Sequence, residues 1–451
     1  MRVAIGAVEV ELVLMPLFLQ HLCDMGGAAI ADLLVRATHL KDAEKVETLV
    51  KAAYERCWEK LHCGSWKEVS PVWRQAFGLA SVLQASCLFR HQESLKCLKM
   101  LDMCLMMAGP LAPPGTHKLI DGIERQLASA GQTSNERRHF KKRRLDEEAL
   151  FISDDIEAQR PQLRFPIQRM KMPTLEEFCY HMMLRNEPVI LTGAMEFWPA
   201  LGRAAGPNRA WKSIKYLRRV AGLRTVPVEM GSSYLGEDWG QELMTLNEFL
   251  DRHIIPSLAK HKDNSDDDVT RTKPSLPKKL GYLAQHRLFD QIPALRRDII
   301  IPDYCNVQRI EDDDAEDVNE DEDIAINCWF GPGGTVSPLH FDPKDNLLCQ
   351  VVGAKYVRLY AQNESEKLYP IEGLLSNTSQ VQVKDPDVER FPQFCHAKYL
   401  ECILREGEML YIPPKSGSRV TRAVHGHASR KRESLLVAPL PLVPLYSKLR
   451  S

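Results

Sequence analysis

The sequence predicts an α+β chain in which a helical N-terminal part precedes a many-stranded sandwich or barrel. Three observations carry this. Across 26–127 the apolar residues recur at helical spacing, as in Val46, Leu49, Val50, Ala53, Cys57 and Leu61, with charges on the opposite face. After about Pro161 the text changes to short β-branched runs punctuated by Gly, Pro and Asn. Between the two lies a polar stretch with Arg137, Arg138, Lys141, Lys142, Arg143 and Arg144, running straight into Asp146, Glu147 and Glu148.

These changes divide the chain into a helical domain at 1–130, a basic flexible linker at 131–160, a β-rich domain at 161–415 and a divergent tail at 416–451. No fixed period stands out among the helices, so a plain bundle and a solenoid are equally open. The Met/Cys/Leu run at 98–107 is expected in the core, because methionine fills irregular gaps. The apolar stretch at 12–23 is too short to span a bilayer and is preceded by Glu9 and Glu11, so neither export nor a membrane anchor is expected. The basic linker suits nuclear import, with a merely solvated linker as the alternative.

In the β-rich part the strand candidates are 188–191, 225–228, 324–327, 351–360 and 409–412. Two polar segments interrupt them: 260–279, and 311–323, in which ten of thirteen residues are acidic. Both are expected to be solvated loops, contact of the acidic one with a basic partner being the less favoured reading.

Composition excludes several classes. With 451 residues, 44% of them apolar, and 59 Lys+Arg against 60 Asp+Glu, the chain is neither disordered throughout nor collagen nor a wholly basic nucleic-acid binder. Twelve cysteines without a CxxC pair suit reduced thiols in cytoplasm or nucleus rather than a disulfide scaffold.

A non-haem Fe(II) site needs two histidines and a carboxylate on one face of the metal. His-x-Asp on a strand supplies two of these, since residues i and i+2 share a face. Alone the motif says little: 14 histidines in a chain with 60 acidic residues give about two such triplets by chance. Three occur. His91-Gln92-Glu93 lies in a helical pattern and His261-Lys262-Asp263 in a polar segment, whereas His340-Phe341-Asp342 sits among strands. Nearby, Trp329-Phe330-Gly331-Pro332-Gly333-Gly334 leads in, Asn346 follows, and Lys355 interrupts an apolar strand. A buried lysine needs an anion, which a dicarboxylate would provide.

The runs 283–293 (Leu-Ala-Gln-His-Arg-Leu-Phe-Asp-Gln-Ile-Pro), 301–305 (Ile-Pro-Asp-Tyr-Cys) and 337–343 (Ser-Pro-Leu-His-Phe-Asp-Pro) resemble the JmjC-domain 2-oxoglutarate oxygenases. The resemblance is dense over about 161–415 and looser over the helices. It implies a JmjC/cupin-type double-stranded β-helix barrel, Fe(II) held by His340 and Asp342, and 2-oxoglutarate held by Tyr282, Ser337, Asn346 and Lys355. It further implies a basic protein substrate, an arginine-containing protein or a histone tail, and a nuclear role in chromatin or the cell cycle. The positions matching those that receive a guanidinium in an arginine-hydroxylating member are Glu229 and Trp239, and a carboxylate beside a ring face suits that cation. Peptidase activity has no nucleophile or zinc motif to support it, and no nucleic-acid motif is present.

The resemblance stops after Lys415. The family's third iron ligand is a histidine, and Ser418 stands in its place. The tail lacks tryptophan, phenylalanine and the alternating pattern of closing strands, so a barrel incompletely closed at its C-terminal end is expected. His425 and His427 replace the ligand only if the tail folds back. An oxygenase with weakened iron binding and a catalytically impaired binding module are thus the two readings.

Overall fold

The computed structural model describes residues 2–5, 8–11, 14–64, 69–131, 162–204, 206–231, 239–256, 280–307, 324–373, 376–413, 421–425 and 434–438. The basic linker, both polar loops (with His261), Ser418 and His427 lie outside the described residues. The chain forms two compact units, one of the N-terminal helices with Leu223–Val226 and one of the β-rich remainder.

The first unit opens with a hairpin, β1 (Arg2–Ile5) and β2 (Val8–Glu11), that helical spacing did not reveal. Among the described residues six α-helices follow: α1 (Pro16–Leu22), α2 (Ala28–His39), α3 (Ala43–Leu61), α4 (Pro71–Arg90), α5 (Ser94–Ala108) and α6 (Thr116–Gly131). The helical run Pro16–His39 is long and apolar enough to cross a membrane by length and composition alone, more than the stretch at 12–23 suggested. It is kinked at Gly26, whose φ of 81° favours glycine, and its Phe18, Leu22, Ile30 and Leu34 enter the helical core.

Helix α3 begins where the Asp42 carboxylate accepts hydrogen bonds from the backbone N–H groups of Glu44 and Lys45, each at 3.2 Å. Its buried stripe is the expected one, Val46, Val50, Ala53, Cys57 and Leu61. Helix α4 is buried around most of its circumference and is the central helix. A Cβ on its Gly78 would stand 3.0 Å from Pro113 and 3.2 Å from Ala108, so glycine sets this close approach. Leu98, Leu101, Cys104 and Met107 of α5 are core, as expected. Asp102 among them is fully buried and accepts hydrogen bonds from Arg224 Nε at 2.9 Å, Arg224 Nη2 at 2.6 Å and the Thr225 N–H at 2.7 Å.

Among the described residues the second unit is built on a curled sheet of twelve strands. They are β3 (Arg169–Lys171), β4 (Val189–Thr192), β5 (Thr225–Met230), β6 (Gly240–Thr245), β7 (Gly281–His286), β8 (Asn327–Gly331), β9 (Val336–His340), β10 (Asn346–Tyr360), β11 (Tyr399–Arg405), β12 (Glu408–Ile412), β13 (Thr421–His425) and β14 (Ser434–Ala438). The path β3-β4-β12-β10-β14-β8-β7-β5-β6 does not return on itself, so the half-barrel is open. Strand β10 turns its corner: the first half pairs with β12 and β14, the second with β11 and β13. A bulge between Gln350 and Val352 and a Gly353 φ of 74° make the turn. The apolar filling comes from alternate residues facing inward, among them Ile190, Ala284, Trp329, Leu348, Val357, Leu359, Leu404 and Leu410.

Two expectations need correction. Ile324, Ala325 and Ile326 precede the strand rather than form it, since β8 starts at Asn327. The tail does contribute strands although its sequence lacks the alternating pattern: β13 pairs with β9 and β10, and β14 with β8 and β10.

Candidate functional site

The site is built on β10 and the strands around it. His340 ends β9, 13% exposed, and Asp342 follows on the turn into β10, 17% exposed; Nε2 of the first lies 3.9 Å from Oδ1 of the second. His340 Nδ1 lies 2.7 Å from the Pro338 carbonyl, to which it donates, which leaves Nε2 as the ring nitrogen nearest the Asp342 carboxylate. First-row metals bond nitrogen and oxygen at about 2.0–2.2 Å, so one ion can reach both donors. These two fit two positions of a facial triad. Among the described residues no group of three His, Cys, Asp or Glu side chains is placed to hold a metal.

Asn346 opens β10, 2% exposed; its Nδ2 donates to Asp342 Oδ2 at 3.3 Å, while its Oδ1 is buried with no hydrogen-bond partner among the described residues. Asp345 beside it accepts the Tyr411 hydroxyl at 2.6 Å, which ties the turn to β12.

Ser337 stands three residues before His340, a spacing that puts two side chains on opposite faces of a regular strand. The ladder with β13 resolves this: Ser337 lies opposite Val424 and His340 opposite Arg422, so β9 carries one extra residue. That bulge returns Ser337 and His340 to one face. The bulge in β10 does the same for Asn346 and Lys355, nine residues apart, which fall on the faces of the inward residues Leu348 and Val357.

Lys355 is 3% exposed, and its Nζ donates to the Tyr282 hydroxyl at 3.2 Å. Gly331 on β8 makes room for the phenol, because a Cβ there would collide with the Tyr282 ring. Tyr282 on β7 is the register partner of Glu229 on β5, so the two share a face. Burial pushes the Glu229 carboxyl up to about 7, opposed by the neighbouring Trp239 indole, whose Nε1 lies outside hydrogen-bond geometry.

The structure therefore brings together Glu229, Trp239, Tyr282 and Lys355 as one group, and His340, Asp342 and Asn346 as another, with Ser337 on the His340 face. His91 belongs to neither: its Nε2 meets Glu47 at 2.8 Å on the surface. The tail folds back, yet it places Arg422 opposite His340, and His425 opposite Val336, three β13 residues or about 10 Å further along the ladder. Sequence reasoning missed Asp345 and His253, whose roles depend on contacts 66 and 28 residues away in the chain. It noted Gly331 only as part of a run.

The family described as a Cupin-like domain matches residues 174–415, ending at the residue where the motif resemblance stops. That described as KDM8-like, N-terminal ARM repeats matches residues 11–138, so the helices form a repeat array that sequence periodicity left open. Lysine-specific demethylase 8 of Danio rerio is 37% identical over 379 residues, which span 82% of either chain. Lysine-specific demethylase JMJ30 of Arabidopsis thaliana is 37% identical over 415 residues, 88% of this chain and 87% of its own. Jumonji C domain-containing protein 5 of Drosophila melanogaster is 32% identical over 380 residues, 83% of either chain. The open cupin-like sheet, the two bulges that gather its polar residues and these matches over most of the length agree: the chain belongs to the JmjC oxygenase family, in the branch with KDM8-like N-terminal ARM repeats.

Proposed function

We propose that this chain is an Fe(II)- and 2-oxoglutarate-dependent oxygenase that hydroxylates a basic side chain of a protein substrate, working in the nucleus. The observation that carries the reading is the convergence of a metal-competent His340–Asp342 pair and a buried Lys355–Tyr282 pair on one long strand and its neighbours. His340 and Asp342 would hold iron, which supplies oxygen activation when bound. Lys355 and Tyr282 would hold the far carboxylate of 2-oxoglutarate, with Asn346 and Ser337 flanking it. In the overall reaction oxygen and 2-oxoglutarate give succinate, carbon dioxide and one hydroxyl on the substrate.

Glu229 and Trp239 favour arginine. A guanidinium brought to the buried carboxyl restores its ionised form and stacks on the indole. On an arginine carbon the alcohol persists, whereas on an N-methyl-lysine the same hydroxylation gives a hemiaminal that releases formaldehyde. The names of the relatives point to lysine demethylation, so both outcomes are tested together. Incubation with arginine and methyl-lysine peptides is expected to add one oxygen to arginine. Formaldehyde from the methyl-lysine peptide, with arginine untouched, would overturn the arginine assignment.

A second reading, a binding module with impaired turnover, is favoured by one observation: the backbone register puts Arg422, not a histidine, across from His340. Ser418→His distinguishes the two. Turnover that rises in this variant from a measurable native level supports a weakened enzyme; no turnover in either supports the module.

A further inference from the structure

The start of β7, which carries Tyr282, is held on its β5 side, where the Gly231 N–H also donates to the Leu280 carbonyl at 3.1 Å, but not on its β8 side. Its ladder with β5 has two register pairs, Glu229 with Tyr282 and Met230 with Gly281, and that with β8 begins at Leu283. The N–H of Gly281 instead donates to His253 Nδ1 at 3.1 Å. His253 lies on the turn Leu250–Ile254, 3% exposed, with its ring 5.7 Å from that of Phe249. A Cβ on Gly281 would stand 2.6 Å from His253 Cδ2, so the imidazole packs directly on the strand backbone. Because Nδ1 accepts, the hydrogen sits on Nε2, which is buried without a partner among the described residues. The bond from Gly281 is thus the hydrogen bond that the described residues give this buried ring.

We propose that His253 is a positioning residue for the 2-oxoglutarate end of the site: its Nδ1 accepts the Gly281 N–H on the side where β8 has not yet begun to pair, and so fixes where the Tyr282 hydroxyl meets Lys355. The proposal rests on the reading of Lys355 and Tyr282 as co-substrate residues. His253 touches neither co-substrate nor metal and acts through the backbone of β7.

Three variants of the full chain separate position from bulk. His253→Asn keeps an acceptor where Nδ1 lies, His253→Gln moves it to where Nε2 lies, and His253→Leu removes it. Two quantities are measured: 2-oxoglutarate affinity with Fe(II) under anaerobic conditions, and deuterium exchange of the peptide Gly281–His286. His253→Asn is expected to stay within about 2-fold of the native affinity, while His253→Gln and His253→Leu weaken it on the order of 10-fold and speed exchange of β7. Native affinity and slow exchange in His253→Leu, or equal losses in Asn and Gln, would overturn the assignment. If His253→Leu fails to fold, the Asn and Gln pair decides alone. Lys355→Met serves as the control. Unchanged affinity there sinks the co-substrate reading, and the exchange rates then decide the His253 contact by themselves.

Discussion

The two ends of β10 differ in completeness. At the Lys355 end a buried ammonium, a phenol placed by its neighbours and a register-matched carboxyl are all supplied by described strands. At the Asn346 end, the His340–Asp342 pair and an amide are in place, and the backbone register sets Arg422 across from His340. One bulged strand thus carries one end with a buried ammonium and phenol and another with a His340–Asp342 pair that has no third His, Cys, Asp or Glu beside it among the described residues. The difference teaches that the two pairs can be broken one at a time, because Lys355 and Tyr282 rest on β10 and β7 whereas His340 and Asp342 rest on β9 and its turn.

The largest effect expected breaks the Lys355 end. Lys355→Met removes the cation that would meet the co-substrate carboxylate, and 2-oxoglutarate affinity should fall roughly 10²–10³-fold in calorimetry, while metal binding measured without 2-oxoglutarate stays as it is. Next, His340→Ala breaks the pair at the Asn346 end. Metal affinity should drop about 100-fold in an anaerobic titration with the thermal midpoint little changed, because His340 is partly exposed and outside the apolar filling.

A smaller effect concerns pH. The Glu229 carboxyl, pushed up to about 7 from 4.5, is disfavoured as an anion in the fold. A raised acid contributes stability that is present below the unfolded value and is lost as pH rises through the folded one, so unfolding free energy should fall by about 1–3 kcal/mol between roughly pH 5 and 8. Glu229→Gln should flatten that slope in denaturant titrations. Binding of an arginine peptide should run the opposite way, about 10-fold weaker near pH 6 than near pH 8, since the guanidinium needs the ionised form. The smallest effect tests the turn that joins the two ends. Tyr411→Phe removes the hydrogen bond to Asp345 and should cost about 1 kcal/mol by chemical denaturation, with 2-oxoglutarate affinity unchanged.

Much of this was legible in the sequence. The 3.6-residue period found the α3 stripe, β-branched runs found β4, β5, β10 and β12, and His-x-Asp among strands found the adjacent His340 and Asp342, because each is a local pattern. What the sequence hid is register. Nothing in the text of β9 or β10 announces an extra residue, yet without the two bulges Ser337 would face away from His340 and Asn346 away from Lys355. The tail strands were hidden for a related reason: β13 and β14 are placed by pairing with β9, β10 and β8 rather than by an alternating pattern of their own. His253 was invisible because its partner is a backbone amide.

Whether the two ends still form one working site is tested most directly by anaerobic addition of Fe(II) and 2-oxoglutarate to the purified chain, followed by oxygen. A visible charge-transfer band is expected from the native chain, absent in His340→Ala and Lys355→Met, with succinate released once oxygen is admitted. A folded native chain that gives neither band nor succinate would contradict the oxygenase assignment and leave the binding module in its place.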